Sequence, residues 1–113
     1  MKLKSIILQR KNSDDKEPLS YGLNTTVKKC DGRVVEEVWR VGEKYGAAIE
    51  KIVYWLEMAS TVAENDKQRS VIDALIKYYK SGDLADFNEY CIKWVDEKES
   101  AVDFINGFIE VYD

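Results

Sequence analysis

Asp31-Gly32-Arg33-Val34-Val35-Glu36-Glu37-Val38-Trp39-Arg40-Val41-Gly42-Glu43-Lys44-Tyr45-Gly46-Ala47-Ala48-Ile49-Glu50-Lys51-Ile52-Val53-Tyr54-Trp55-Leu56 contains the change of hydrophobic period that decides the fold. Asp-Gly is a two-residue turn signal, because the favoured hairpin loops need positive φ at their central positions. The β-branched Thr25, Thr26 and Val27 precede it, and Val34, Val35, Val38, Trp39 and Val41 follow. Residues 19 to 41 therefore predict a β-hairpin. Apolar and polar residues alternate imperfectly, so the pattern assigns no register. A lone hairpin is marginal in water and must pack on something else.

Past Gly42 the period becomes helical. Tyr45, Ile49, Ile52, Leu56, Ala59 and Ala63 recur at steps of three and four, which places them on one stripe. Asn65-Asp66 ends that helix and offers a cap to the next, which carries Val71, Leu75 and Tyr78 beside Ile72, Ile76 and Tyr79 until Ser81-Gly82 breaks it. Asp83 suits the N-cap of a third helix, with Leu84, Phe87, Cys91 and Trp94 as its stripe. Ser100 and Asp103 then spell S-x-x-D, a capping-box start, with Val102, Ile105, Ile109 and Tyr112 at helical spacing. The expected fold is mainly α within the α+β class: an N-terminal hairpin followed by three to four amphipathic helices.

Upstream, Lys11-Asn12-Ser13-Asp14-Asp15-Lys16-Glu17-Pro18 has no apolar residue and ends in the single proline. Residues 1 to 18 thus read as a leader and exposed linker, and 19 to 113 as the hairpin plus helical segment. The basic start and the apolar Leu3, Ile6, Ile7 and Leu8 lack the length and cleavage site of a signal peptide. At the other end the chain stops at Asp113 with no glycine, proline or polar tail after a helical pattern. That ending is the one expected of a piece of a larger protein.

The chain has 113 residues, 45% hydrophobic and 34% charged, a composition that folds as about one domain. Its 21 acidic residues outnumber 17 basic ones without a basic block, which argues against a nucleic-acid partner. No apolar run approaches the ~20 residues of a membrane span. Histidine is absent, so the sequence spells no Ser-His or Cys-His dyad and no histidine metal site. Cys30 and Cys91, far apart and outside any C-x-x-C pair, read as two free thiols of a reducing, cytoplasmic compartment. No catalytic residue and no metal ligand is assigned within the chain.

Three constellations have two readings each. Asp83, Asp86 and Glu89 lie three apart on one helix face, but without the glycine turn of a calcium loop they read as a cap and first-turn acids. Trp39, Trp55 and Trp94, with seven tyrosines, suggest either a ligand platform or packing, and most sit at or beside the stripes. Asp103 and Glu110 are acceptors for a ligand cation, or, for Asp103, a capping acid.

Val102-Asp103-Phe104-Ile105-Asn106-Gly107-Phe108-Ile109-Glu110-Val111-Tyr112 resembles a signature segment of the dipeptidyl peptidase III family, which reads approximately V-E-x-x-x-G-F-I/V-E-x-Y. Gly107, Phe108, Glu110 and Tyr112 match, and Asp103 replaces the glutamate. Tyr21-Gly22-Leu23-Asn24-Thr25 with Asp31-Gly32 resembles the family's Y-x-x-N-T/S hairpin, especially in its bacterial branch. Ala48 to Leu56, Leu75 to Asp83 and Trp94-Val95-Asp96 are similar to the helices that follow. Order and spacing agree from about Leu19 to Asp113.

The resemblance implies a part of a two-lobed, mostly helical zinc exopeptidase that releases dipeptides from peptide N-termini. Its zinc would be held by an H-E-x-x-x-H helix and a further glutamate downstream of the matching region, so the cofactor belongs to the parent protein and not to this segment. The partners implied are the rest of the parent chain and the N-terminus of a peptide substrate. The acid matching Asp103 contacts the substrate ammonium in that family. Asp103 is one methylene shorter, and Ile105 stands where some members carry a substrate-touching tyrosine, which makes Asn106 the candidate for a replacement polar contact. The substrate-binding set is thus Asp103, Asn106 and Glu110. The rival expectation is a free-standing helical module whose aromatic face binds another protein.

Overall fold

The computed structural model describes residues 24–107. The leader and linker expected over residues 1 to 18 lie outside them, as do residues 108 to 112 of the C-terminal signature, Glu110 among them. A two-stranded antiparallel sheet leads into three helices: β1 (Thr25–Cys30), β2 (Arg33–Val38), α1 (Gly46–Thr61), α2 (Asp66–Ser81) and α3 (Leu84–Asp96). The mainly helical α+β fold with its hairpin is as expected.

Asp31 and Gly32 have φ of 50° and 78°, the left-handed pair that the tight loop requires. They set Cys30 opposite Arg33, and the ladder runs back to Thr25 opposite Val38. The hairpin leans on the C-terminal end of α2. The last carbonyls of a helix have no partner within it, and here the hairpin side supplies several. Val41 N–H donates to Tyr79 O at 3.0 Å, and an Arg40 guanidinium nitrogen donates to Ser81 O at 3.0 Å. The buried Asn24 adds its Nδ2 to Gly82 O at 3.0 Å.

Each of the last two helices begins on a cap spelled in the sequence. Asn65 accepts from Gln68 N–H at 2.8 Å, and Asp83 accepts from Ala85 N–H at 2.9 Å. By contrast α1 starts on Tyr45, left-handed at φ 58° and without a side-chain cap; its ring stands edge-on to Trp39 at 5.4 Å. Tyr45 was expected on the apolar stripe and is instead exposed, and Ala63 falls beyond the end of α1.

The core lies among α1, α2 and α3: Ile49 and Val53 meet Val71, Ala74, Leu75, Tyr78 and Tyr79, closed by Leu84 and Tyr90. Ile49 and Leu75 are the most completely buried large side chains. Asp86 is engaged within the fold. The Ser81 hydroxyl donates to it at 2.5 Å and Lys77 lies 3.1 Å away, which together hold its carboxyl below the usual carboxylate range. Glu89 is shared between Lys77 and Lys93, so the acidic row serves helix capping and α2–α3 pairing.

Candidate functional site

The segment after α3 was expected to open a fourth helix. Residues 97 to 107 instead form a strap without regular secondary structure. The S-x-x-D signal fails because its members find better-placed partners elsewhere. Ser100 Oγ accepts from Asn65 Nδ2 at 3.0 Å, and Asp103 Oδ1 accepts from the adjacent Phe104 N–H at 2.8 Å. Neither side chain is left to close a helical box.

The α1–α2 connection and the first turn of α2 hold the strap's beginning. Glu97 turns back to accept from Glu99 and Ser100 N–H at 2.8 and 3.0 Å, and those backbone bonds, Glu99 first, lower its carboxyl from the ordinary glutamate value. Glu64 then accepts from Ala101 and Val102 N–H, while Gln68 Nε2 donates to Val102 O at 3.0 Å. Further on, Phe104 turns inward, its ring 6.5 Å from that of Tyr90. Val102 and Ile105 stay exposed.

Two predicted site residues lie on this strap. Asp103 is exposed, and Trp94 Nε1 donates both to its Oδ1 at 3.1 Å and to Phe104 O at 3.0 Å. Among the described residues, Trp94 Nε1 and Phe104 N–H both donate to Asp103 Oδ1. Asn106 is half-buried and its Oδ1 accepts from the Tyr79 hydroxyl at 2.6 Å. Burial raises the Tyr79 phenol above its ordinary value, so the hydroxyl stays a protonated donor near neutral pH. Beside Asn106 a small cavity of about 160 Å³ is lined by Trp39, Tyr78, Leu84, Phe87 and Asn24. The third predicted residue, Glu110, lies outside the described residues.

Sequence reading missed the residues that position the strap. Tyr79 and Trp94 had been assigned to apolar stripes, and their polar ends carry the information: a buried phenol or an indole N–H generally finds a partner. Gln68 had a usable signal in the N-cap spacing Asn65-x-x-Gln68.

Metal chemistry is another matter. Among the described residues no three His, Cys, Asp or Glu side chains come together as donors. Cys30 sits exposed at the hairpin end, while Cys91 is half-buried on α3 with its thiol raised by burial. These residues do not fit the zinc implied by the resemblance, and no chemical step here runs through one. No helix among the described residues is long and apolar enough to cross a membrane.

A docked hairpin, three packed helices and a strap that carries one carboxylate and one amide define an α+β unit with no metal-donor cluster among its described residues. The model of peptidase family M49 matches residues 16–113, so the chain belongs to peptidase family M49, the dipeptidyl peptidase III family, whose members are metallopeptidases. No curated protein matches the chain.

Proposed function

We propose that this chain is a non-catalytic structural and substrate-cleft segment of a zinc-dependent dipeptidyl peptidase that releases dipeptides from peptide N-termini. The family match over residues 16–113 carries the reading. In it, zinc and the activation of water belong to polypeptide outside this sequence, and Asp103 anchors the substrate ammonium. An ammonium buried without an acceptor is costly, so a carboxylate at that point selects for a free N-terminus as well as adding affinity. The carboxylate is supported for this task by Trp94, which engages Oδ1 and leaves Oδ2 as the oxygen for a ligand.

The remaining partner is the rest of the parent chain. Tyr54, Trp55, Met58 and Val62 on or just after α1, and Ile92 and Val95 on α3, are large apolar side chains exposed to solvent, Trp55 by 68%. Faces of this kind support packing against further lobes of the parent. Two free thiols are in keeping with a cytoplasmic compartment.

In the full-length peptidase, Asp103→Asn should raise KM for free-amine peptides by roughly 10-fold or more, the value of one charge-assisted hydrogen bond. The melting temperature should move little, because Asn keeps an acceptor for Trp94. Unchanged KM with normal melting would reduce Asp103 to a structural acceptor.

A further inference from the structure

A carboxylate on a loose segment binds weakly, because the segment must be ordered when the ligand arrives. Asp103 is exposed and belongs to a strap without regular secondary structure, so its place has to be set by what holds its neighbours. Val102, just before it, has both backbone groups bound by side chains. Glu64 Oε2 accepts from Val102 N–H at 3.2 Å, and Gln68 Nε2 donates to Val102 O at 3.0 Å. That is the exchange a facing residue in an antiparallel sheet would make. Here two side chains supply it, and the Gln68 bond ends on the peptide unit that carries the Asp103 nitrogen.

Gln68 can hold a strap because it is itself held. It is 8% exposed and lies in the first turn of α2, where its own N–H donates to the Asn65 cap at 2.8 Å. Its Oε1 accepts from Glu64 N–H at 2.7 Å, and its Nε2 donates to Glu64 Oε2 at 3.2 Å as well as to Val102 O. A backbone N–H can only donate, so the atom that meets it is the amide oxygen and the amide has one orientation. Glu64 also accepts from Ala101 N–H at 3.3 Å through Oε1. On the other side of Asp103, Trp94 Nε1 donates to Phe104 O at 3.0 Å. Asp103 is thus bracketed by two neighbours tied to helices.

We propose that Gln68 and Glu64 are positioning residues for the Asp103 carboxylate, clamping the Val102 backbone so that the acid stands ready for a peptide ammonium. The clamp sharpens the preference for a free N-terminus without touching the peptide. This inference rests on the reading of Asp103 as the ammonium acceptor and names what sets its place. The N-cap bond of α2 is already made by Asn65, so the bond from Gln68 to Val102 serves the strap and not the helix.

The test is competitive inhibition of dipeptidyl-naphthylamide hydrolysis by the full-length peptidase. Two inhibitors are compared: a non-hydrolysable free-amine tetrapeptide analogue, and the same molecule lacking its α-amino group. The ratio of their inhibition constants isolates the ammonium. Gln68→Met keeps the side chain's length, removes its hydrogen bonds and changes no charge; Glu64→Ala, at an exposed position, is the second variant if Gln68→Met folds poorly in an unfolding curve. Each should lower the preference for the free amine roughly 2- to 10-fold, the value of one neutral hydrogen bond, with the des-amino constant within about twofold of the parent. Adding Gln68→Met to Asp103→Asn should leave the preference where Asp103→Asn alone puts it, since no carboxylate remains to be positioned. A merely structural role would weaken both inhibitors alike; an unchanged ratio in Gln68→Met and Glu64→Ala, or a further fall in the double variant, would overturn the proposal. If Asp103→Asn collapses the ratio while the clamp variants keep it, the positioning role fails and the ammonium anchor stands. If Asp103→Asn itself leaves the ratio unchanged, the anchor fails and the clamp with it.

Discussion

Leu75→Ala will lower the stability of the chain by about 2–5 kcal/mol, read as a shift in the urea unfolding midpoint at unchanged slope. Leu75 is 1% exposed and sits on α2. That helix is the shared partner of the other two: α2 packs on both α1 and α3, and Leu75 lies in the cluster that joins Ile49 and Val53 to Leu84 and Tyr90. Removing its branched end leaves a void that rings such as Tyr78 and Tyr79 are too rigid to refill, so the cavity contribution adds to the lost transfer free energy. An alanine variant within about 0.5 kcal/mol of the parent, the range of surface substitutions, would mean that the three helices do not share this core.

Gly82→Ala is expected to be nearly as damaging, at about 2–4 kcal/mol, for a different reason. Gly82 ends α2 in the left-handed conformation at φ 67°, and its N–H donates to Tyr78 O at 2.7 Å. The conformation alone costs an L side chain about 1–2 kcal/mol. Space is the larger problem. A Cβ there would lie 2.5 Å from Val38 Cγ1 and 3.1 Å from Arg40 Cβ and Cδ. Val38 is stiff at χ1 and ends β2, so relief comes only by moving the hairpin off the helix end. That movement threatens the bonds from Asn24 and Arg40 to the carbonyls of Gly82 and Ser81. Ala74→Gly, at a buried helical position without positive φ, is the useful contrast, since it loses helix propensity and a methyl group while leaving the hairpin contact alone. Thermal unfolding of Gly82→Ala at the parental temperature would show that the hairpin does not rest on this glycine.

Most of the fold could be read from residues whose signals are local. Asp31-Gly32 dictates its own backbone, and Asn65 and Asp83 cap helices through groups two or three residues away. The hairpin register was not legible, because in a two-stranded sheet only part of one face is covered: Val35 points to solvent while Glu36 and Glu37 are half-buried, so alternation carries little information. The strap failed for a sharper reason. Ser100 and Asp103 are spaced as a capping box, yet each is claimed by a partner from elsewhere in the fold, Asn65 from 35 residues upstream and the Trp94 indole. Helix propensity is a weak prior once tertiary hydrogen bonds of this kind compete with it.

The candidate site was half legible for the same reason. Its chemistry-bearing residues, Asp103 and Asn106, came from the resemblance to a signature segment. The residues that orient them looked like packing. Tyr79 is indeed packing, with its ring in the core and its hydroxyl bonded at the strap. A pattern of apolar spacing records the ring and is blind to the oxygen.

The claim that this strap receives a peptide's N-terminus is met most directly by a crystal structure of the full-length peptidase with a non-hydrolysable free-amine peptide bound. The peptide ammonium should lie within hydrogen-bond distance of Asp103 Oδ2, with Trp94 still bonded to Oδ1. A peptide seated in the cleft with its ammonium held by other acceptors, and Asp103 touching only its own chain, would contradict the assignment.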